Sequence, residues 1–529
     1  MQHWGILTTR NFYILGLLTI AASLPLSAFF TSIGQWFILI AWIADKNFVQ
    51  KVKSIRINKA LLFFLSFYLL HIVSLLWTSN YQYGLHDIKI KLPLLILPLI
   101  ISTSKPLNKK EILSIFWVYC LAVLTVSMIG FYSIFFKQGG LTADFRAVSP
   151  FISHIRFALM INIAIIILLY IAFENQNASL KIKILNVIIV LYLMLFLILM
   201  RSLTGIVVFM AMGTLVLLYK INQVKLTFKR RLLNGLFIAI AIVFALYITG
   251  VYAKFNHKAN ENLQALQATT VNGNKYKHDT ISTYRENGYL IYINICDKEL
   301  ETEWNKRSNK KYHSISSNGY SVNSTLIRYM SSLGLTKDSL GMSKLDKNDI
   351  NAVEEGIANH IYLNRISLYP RLYELFWEFD YYKRGGNPSG HSVIQRFYYF
   401  TAGWNIFLEN PIVGVGVGDV EDGYQAYYNK TDSLLTNPWR LRAHNQYLTI
   451  LLSFGVIGFI IFLGSQIYPV LLSKKNKTLF ILFTPLFITL LLSMLNEDTL
   501  ETQAGVSFYA FFYSLFVWGI NKKNIYDHD

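Results

Sequence analysis

A short polar motif, residues 442–447, stands directly before a long apolar run and holds the residues best suited to chemistry. It contains Arg442, His444 and Asn445, and the apolar run continues to residue 463. A run of this length is typical of a membrane-spanning helix, so the motif lies at the rim of a bilayer. Histidine can accept a proton near neutral pH and thereby activate a hydroxyl group, and asparagine can cap the helix that follows. The motif therefore makes His444 a candidate catalytic base, while the structural role that a lone histidine at such a rim more often has stays open.

Arginines next to other apolar runs would complete an anion-binding site. An arginine close to the hydrocarbon of a bilayer is costly, so it usually pairs with another group or serves a function. Several guanidinium groups on one face would suit a phosphate or pyrophosphate, whose oxygens they bind in pairs. Anchoring at the membrane interface stays open as a structural explanation. Glu497, in the last external loop, is expected to support the site by pairing with an arginine. The candidate anion ligands are Arg156, Arg201, Arg396 and Arg442.

The composition indicates an all-α polytopic membrane protein. Hydrophobic residues make up 53% of the 529-residue chain and charged residues only 15%, whereas a soluble domain carries roughly 25% charged residues. Many apolar runs approach the length of about 20 residues that a spanning helix needs. We predict about twelve spans, at residues 12–30, 32–44, 60–77, 92–102, 112–136, 154–173, 184–200, 205–219, 234–253, 447–472, 478–495 and 503–520.

The basic residues orient these spans. The net charge is +19, but residues 251–443 hold 22 Lys and Arg against 20 Asp and Glu, so an excess of +17 lies in the membrane regions. Every loop after an even-numbered span is rich in Lys and Arg, which is typical of cytoplasmic loops. We therefore predict a multi-pass protein of the cytoplasmic membrane, with both termini in the cytoplasm and residues 254–443 as one large external loop. This distribution argues against nucleic-acid binding, which the net charge alone would suggest.

The topology divides the chain into three predicted parts. Residues 1–253 form an N-terminal membrane region with about nine spans, residues 254–443 form the external loop, and residues 444–529 form a C-terminal membrane region with about three spans. Within the loop, residues 256–351 are polar, whereas residues 352–428 have apolar and aromatic residues at helical spacing. We expect this later part of the loop to be helical and to lie over the membrane.

A glycine run occurs within the later part of the loop, where Gly414, Gly416 and Gly418 alternate with valine. The run resembles a dinucleotide-binding fingerprint only superficially, because no strand–turn–helix pattern and no suitably spaced acidic residue accompany it. We interpret it as a tight turn that brings the backbone close to a helix or a ligand.

Three segments resemble the bacterial O-antigen ligase family, a branch of a superfamily of membrane ligases and polymerases. The first, residues 404–418, ends in the glycine run; the second, residues 444–458, begins at His444; the third, residues 496–506, contains Glu497. Residues 390–396 further resemble the form of the family found in Bacteroidetes-type bacteria. The predicted layout, with one large loop before the tenth span, extends the resemblance along the chain.

The resemblance implies a glycosyltransferase, an O-antigen ligase of lipopolysaccharide biosynthesis, that acts on the periplasmic face of the bacterial inner membrane. Such an enzyme transfers a glycan from undecaprenyl pyrophosphate to a sugar of the lipid A–core. It needs no metal or other cofactor, because the lipid pyrophosphate is already a good leaving group. Its partners are the lipid-linked donor, the glycan acceptor and membrane lipids. By resemblance, His444 is the catalytic residue and Arg396 binds the pyrophosphate, with Arg156 or Arg201 beside it and Arg442 as a further contact.

One position departs from the family pattern. Many relatives have Ser-Arg-Thr-Gly where residues 202–205 of this chain read Ser-Leu-Thr-Gly, so Leu203 occupies the arginine position and Arg201 stands two residues earlier. Two residues correspond to about 200° of rotation on a helix, so Arg201 reaches the site only if the helix is unwound there. Arg156 is then the more attractive second phosphate ligand.

Three other functions stay open. A polymerase of the same superfamily joins glycan repeats to each other, and an oligosaccharyltransferase uses a protein acceptor; the motifs do not separate either of them from a ligase. A transporter or lipid flippase belongs to a different class and would also explain the many spans. It predicts inverted repeats and charged residues near the middle of the membrane, whereas the spans here are mostly uncharged and the polar residues gather at the external rim.

Overall fold

Helices dominate the parts of the chain that the structure, a computed structural model, describes. These parts are residues 8–45, 47–137, 149–173, 178–200, 202–222, 226–364, 367–473 and 477–520. Within them, strand pairing beyond isolated bridges is limited to one two-stranded hairpin. The chain divides into two compact units, Met1–Lys225 with Asn387–Asp529, and Leu226–Gly386. The predicted all-α class is therefore confirmed, while the three-part division at residues 253 and 443 stays a prediction.

The first unit is built from apolar helices around one core. Helix α8, His154–Phe173, lies deepest, because residues 157–168 are all buried. Its Asn162 donates a hydrogen bond to the Gly205 carbonyl oxygen (3.0 Å) and so connects α8 to the start of helix α10, Leu203–Asn222. The helices of this unit are α1 Thr9–Ser23, α2 Ala28–Ala44, α3 Phe48–Ile57, α4 Lys59–Val73, α5 Tyr81–Lys91, α6 Pro93–Thr103, α7 Lys109–Tyr132, α8 His154–Phe173, α9 Leu180–Leu199, α10 Leu203–Asn222, α17 Ser392–Glu409, α18 Val420–Lys430, α19 Gln446–Ser473, α20 Lys477–Ser493 and α21 Gln503–Ser514.

Several of the described helices are long and apolar enough to cross a membrane. Six meet that criterion by length and composition, or up to seven if α2 and α3 form one bent span: Lys59–Leu76, Lys109–Phe136, His154–Phe173, Leu180–Leu199, Thr227–Asn256 and Gln446–Leu472. Some of the other predicted spans are short helices; the 11 residues of α6 extend only about 16 Å, roughly half the hydrocarbon thickness. The chain is thus a multi-pass membrane protein, and the number of about twelve spans stays a prediction.

The glycine run supports a break in α19. Gly455 interrupts this helix with a φ of 62°, in the left-handed region that favours glycine. The Gly416 N–H donates to the Ser453 carbonyl oxygen (3.0 Å), which the break leaves without a helical partner. Gly414 lies against the same point, because a Cβ atom there would come within 2.4 Å of the Leu452 carbonyl oxygen. The predicted tight turn close to a helix is confirmed.

The second unit folds around its own apolar core, which includes Leu300, Trp304, Leu326 and Tyr329. The polar composition of residues 256–351 concealed this core. The expected helical character of residues 352–428 is confirmed by α16, Tyr369–Lys383, and by α17 and α18, while the position of these residues over the membrane stays a prediction. The elements of the second unit are α11 Thr227–Asn256, β1 Arg285–Glu286, β2 Tyr289–Leu290, α12 Asp297–Arg307, α13 Val322–Ser332, α14 Ser339–Ser343, α15 Lys347–Glu354 and α16 Tyr369–Lys383.

Candidate active site

The loop between α20 and α21, residues 494–502, is the centre of the candidate site, and we call it the acidic loop. Arg396, from the first turns of α17, donates from Nη1 to Asn496 Oδ1 (2.6 Å). Arg156, from the start of α8, has its Nη2 3.9 Å from Glu497 Oε2. Two arginines that are distant in sequence are therefore brought to adjacent residues of one loop. The expected pairing of Glu497 with an arginine is confirmed.

His444 is half-buried beside these groups. Its backbone φ is 47°, so the residue adopts a left-handed conformation immediately before α19, and its ring meets the Tyr399 ring edge-on at 5.9 Å between centroids. Burial lowers the pKa of His444; Glu497 opposes this shift, while Arg396, Arg442 and Arg156 add to it. The imidazole is therefore neutral near pH 7 and available to accept a proton.

Glu497 is the carboxylate that His444 interacts with most strongly. Burial raises the pKa of Glu497, and the positive charges of Arg156 and of protonated His444 oppose that rise. The carboxylate would favour the imidazolium form once His444 has taken a proton. The site is thus one cluster of electrostatically interacting groups: neutral His444, Glu497 with its charge partly compensated, Arg156 and Arg396.

Asn445 fixes His444 relative to the acidic loop. Its Oδ1 accepts from the Leu448 N–H (3.0 Å) and caps α19, as predicted. Its Nδ2 donates to the Leu495 carbonyl oxygen (3.0 Å) in the acidic loop. Asn445, the residue that follows His444, therefore contacts both the helix and the loop that carries Glu497, and its supporting role in the reaction stays a prediction.

A buried ion network lies next to the catalytic candidates. Arg442 has its Nε 3.6 Å from Asp498 Oδ2 and its Nη1 3.4 Å from Glu501 Oε2, and Lys91 Nζ lies 3.0 Å from Glu501 Oε2. Burial raises the pKa of Asp498 to about 6. Burial also opposes ionisation of Glu501, but Lys91 and Arg442 together hold its pKa below the usual value. Since Arg442 contacts two buried carboxylates and also donates to the Tyr83 hydroxyl (3.2 Å), this geometry favours a positioning role for Arg442, and its pyrophosphate contact stays a prediction.

Lys91 and Asp87 were missed by the sequence analysis. They lie four residues apart on α5, form a buried ion pair, and connect this helix to the acidic loop through Glu501. Charged residues four positions apart beside an apolar run were the available signal, because buried charges next to a membrane span usually have a partner.

The segment that departs from the family pattern also reaches the acidic loop. Helix α9 ends at Leu199 and α10 begins at Leu203, so the two do not form one continuous helix. Asn496 Nδ2 donates to Thr204 Oγ1 in the first turn of α10. Arg201 lies outside the described residues, and its phosphate-binding role stays a prediction.

Removing Lys91 should destabilise the protein. In the Lys91→Met variant, Asp87 would be left buried without its cation and Glu501 would keep Arg442 as its cationic partner beside the Gln446 amide, so we expect a loss of about 3–5 kcal/mol in the free energy of unfolding. The measurement is chemical unfolding of the full chain in mixed micelles. Lys89→Met is the matched control, because Lys89 is an exposed residue of the same helix. Equal stability of the two variants would show that the network does not hold the acidic loop.

The fold and site define a multi-pass helical membrane protein with a polar site on the loops between its helices. Among the described residues, no group of three or more His, Cys, Asp or Glu side chains is arranged to hold a metal ion.

Residues 356–463 match the model of a family described as O-antigen ligase. The chain therefore carries a domain of the O-antigen ligase family, which confirms the family resemblance. The matched segment contains Arg396 and His444. A comparison with curated proteins found no match. The likeness to Bacteroidetes-type members stays a prediction.

Proposed function

We propose that this chain is an O-antigen ligase-type glycosyltransferase, which transfers a glycan from undecaprenyl pyrophosphate to a lipid A–core acceptor at the periplasmic face of the inner membrane. The observation that supports this most is the grouping of His444, Arg156 and Arg396 around the acidic loop. A neutral base beside two guanidinium groups suits a reaction in which a hydroxyl loses its proton while a diphosphate departs. The topology of about twelve spans, with cytoplasmic termini and an external loop at residues 254–443, is part of the proposal.

In the proposed reaction, His444 accepts the proton of the acceptor hydroxyl. The hydroxyl oxygen forms a bond to the anomeric carbon, and the bond from that carbon to the diphosphate oxygen breaks. The bonding electrons leave with undecaprenyl diphosphate, whose charge Arg396 and Arg156 stabilise. Glu497 stabilises the imidazolium of His444, and attack from the face opposite the leaving group inverts the anomeric configuration. Because the guanidinium groups supply the positive charge, the proposed reaction requires no metal ion.

Transfer by the purified full chain tests the proposal. The protein is reconstituted in vesicles with an undecaprenyl-pyrophosphate glycan and lipid A–core, and the products are separated by gel electrophoresis. We expect lipid A–core that carries the glycan. Longer lipid-linked glycan together with unmodified lipid A–core would contradict a ligase and indicate a polymerase, and glycan on an added acceptor protein would indicate an oligosaccharyltransferase.

The pH dependence of transfer should follow the ionisation of His444. The pKa of His444 lies below the usual 6.5 because the ring is buried, so the neutral base predominates at pH 7 and above and is lost as the pH falls through that pKa. We expect a rate that is constant from about pH 7 to 8 and falls about tenfold per pH unit below the His444 pKa. Initial rates at saturating donor measure this, and the residual rate of His444→Asn should lack the acid limb. A rate that already declines on acidification above pH 7 would contradict the assignment.

A further inference from the structure

The second unit contains a pocket with a cationic rim. The pocket has a volume of about 400 Å³, is partly open, and is lined by Lys254, His257, Asn287, His360, Ile361 and Tyr369. None of these residues is acidic, and all belong to the unit Leu226–Gly386, whereas the catalytic candidates belong to the other unit. The proposed transferase reaction leaves this pocket without a role.

The polar network that carries Asn287 is satisfied internally. Asn287 Nδ2 donates to the Ser332 carbonyl oxygen (2.9 Å), and Asn287 Oδ1 accepts from Asn359 Nδ2 (3.1 Å). Asn359 is fully buried and also donates to Glu286 Oε2 (2.7 Å). Glu286 is paired in turn with Arg328 at 2.6 Å. This side of the pocket is therefore held rigidly, and because the Glu286 carboxylate is paired with Arg328, Glu286 does not cancel the charge at the rim.

His360 is oriented by the same network. Its Nδ1 lies 3.1 Å from Ser332 Oγ and 3.3 Å from Asn287 Nδ2, and its backbone N–H donates to Ser332 Oγ (3.0 Å). Because Nδ1 faces the network, Nε2 is the ring nitrogen left for a ligand. Burial lowers the pKa of His360, so near pH 7 the ring offers a hydrogen bond rather than a charge.

The rim carries a charge that the second unit does not neutralise. Lys254 and His257 are exposed at the end of α11, and Lys254 Nζ lies 5.7 Å from the centroid of the Tyr369 ring. Within residues 226–364 and 367–386, where the structure describes this unit, neither side chain takes part in an ion pair. The pocket therefore combines an ammonium group, two imidazoles and an aromatic face.

We propose that this pocket binds a phosphate group attached to a sugar or to a lipid headgroup. Lys254 and His257 at the end of α11, together with His360 from a distant part of the chain, match the several oxygens of a phosphate, while the Tyr369 ring packs on the adjoining carbon skeleton. Helix α11 contains an apolar stretch long enough to cross a membrane, so Lys254 near its end would lie where lipid headgroups and membrane-bound saccharides carry phosphate. The binding does not depend on the proposed transferase activity.

Binding of a soluble sugar phosphate is the first arm of the test. The full chain in phosphatidylcholine nanodiscs is titrated with glucose 6-phosphate, with glucose as the uncharged counterpart. We expect a Kd on the order of 1 mM for glucose 6-phosphate, weakened about tenfold in the double variant Lys254→Gln/His257→Gln. Both side chains are exposed, so the fold should persist, which thermal unfolding checks. Lys258→Gln is the matched control, because Lys258 is exposed nearby but does not line the pocket.

Retention of an anionic lipid is the second arm. The same variants are prepared in nanodiscs that contain phosphatidylglycerol, and lipid retained on the protein is counted by native mass spectrometry. Weaker binding of glucose 6-phosphate or fewer retained lipids in the double variant, but not in Lys258→Gln, supports the proposal. The arm that responds identifies the source of the phosphate. Equal behaviour of the double variant and the control in both arms overturns it, whether or not the protein transfers glycan.

Discussion

Replacing His444 with alanine is expected to lower the rate of glycan transfer by about 10²–10⁴-fold, the usual contribution of a positioned general base. Without the imidazole, the acceptor hydroxyl must give its proton to water, while Glu497 stays paired with Arg156. Lipid-linked donor should still bind, because the arginines are unchanged. Initial rates at saturating donor in reconstituted vesicles measure the effect.

The backbone at His444 calls for a second variant. Its left-handed φ of 47° is uncommon for residues other than glycine, but asparagine tolerates it well. His444→Asn therefore removes the base with little backbone strain and should lose as much activity as His444→Ala. His86→Ala is the matched control, since His86 is an exposed histidine of α5. Wild-type rates in both His444 variants would rule out the general base.

Features encoded by adjacent residues could be predicted from the sequence. The Asn445 cap and the glycine turn depend on the conformational preferences of a few neighbouring residues, and the structure confirms both. The pairing of Glu497 with an arginine was also predictable, because a carboxylate and several arginines share the same predicted rim. The sequence did not indicate which of these arginines would lie nearest to Glu497.

Features that depend on distant residues could not be predicted in this way. Lys91 and Glu501 are 410 residues apart and meet only because α5 packs next to the acidic loop. The break at Gly455 depends on the glycine run, which supplies hydrogen bonds to the interrupted helix; alone, the glycine lies within an apolar run of 28 residues. The core of residues 256–351 was obscured because its apolar residues are widely spaced in a polar segment.

Replacing Arg396 with alanine is expected to reduce kcat by about 10²–10³-fold, because a donor aimed at developing charge is lost. The kcat of Arg396→Lys should lie between those of the wild type and Arg396→Ala, since lysine keeps the charge but lacks the planar fork that binds two phosphate oxygens. The measurement is the steady-state rate over a range of donor concentrations. A raised KM with unchanged kcat would instead mean that Arg396 binds the donor equally in the ground state and the transition state.

The contact between Arg396 and Asn496 raises a structural alternative that a third variant resolves. If Arg396 only holds the acidic loop through Asn496 Oδ1, then Arg396→Gln, whose amide can also donate to that oxygen, should retain much of the activity. If Arg396 stabilises the departing diphosphate, the neutral glutamine should be as inactive as alanine while the protein remains as stable as the wild type. Arg56→Ala is the matched control, because Arg56 is an exposed arginine of α3. A transfer rate of Arg396→Gln equal to that of the wild type would mean that Arg396 has only a structural role, and it would leave Arg156 as the phosphate ligand.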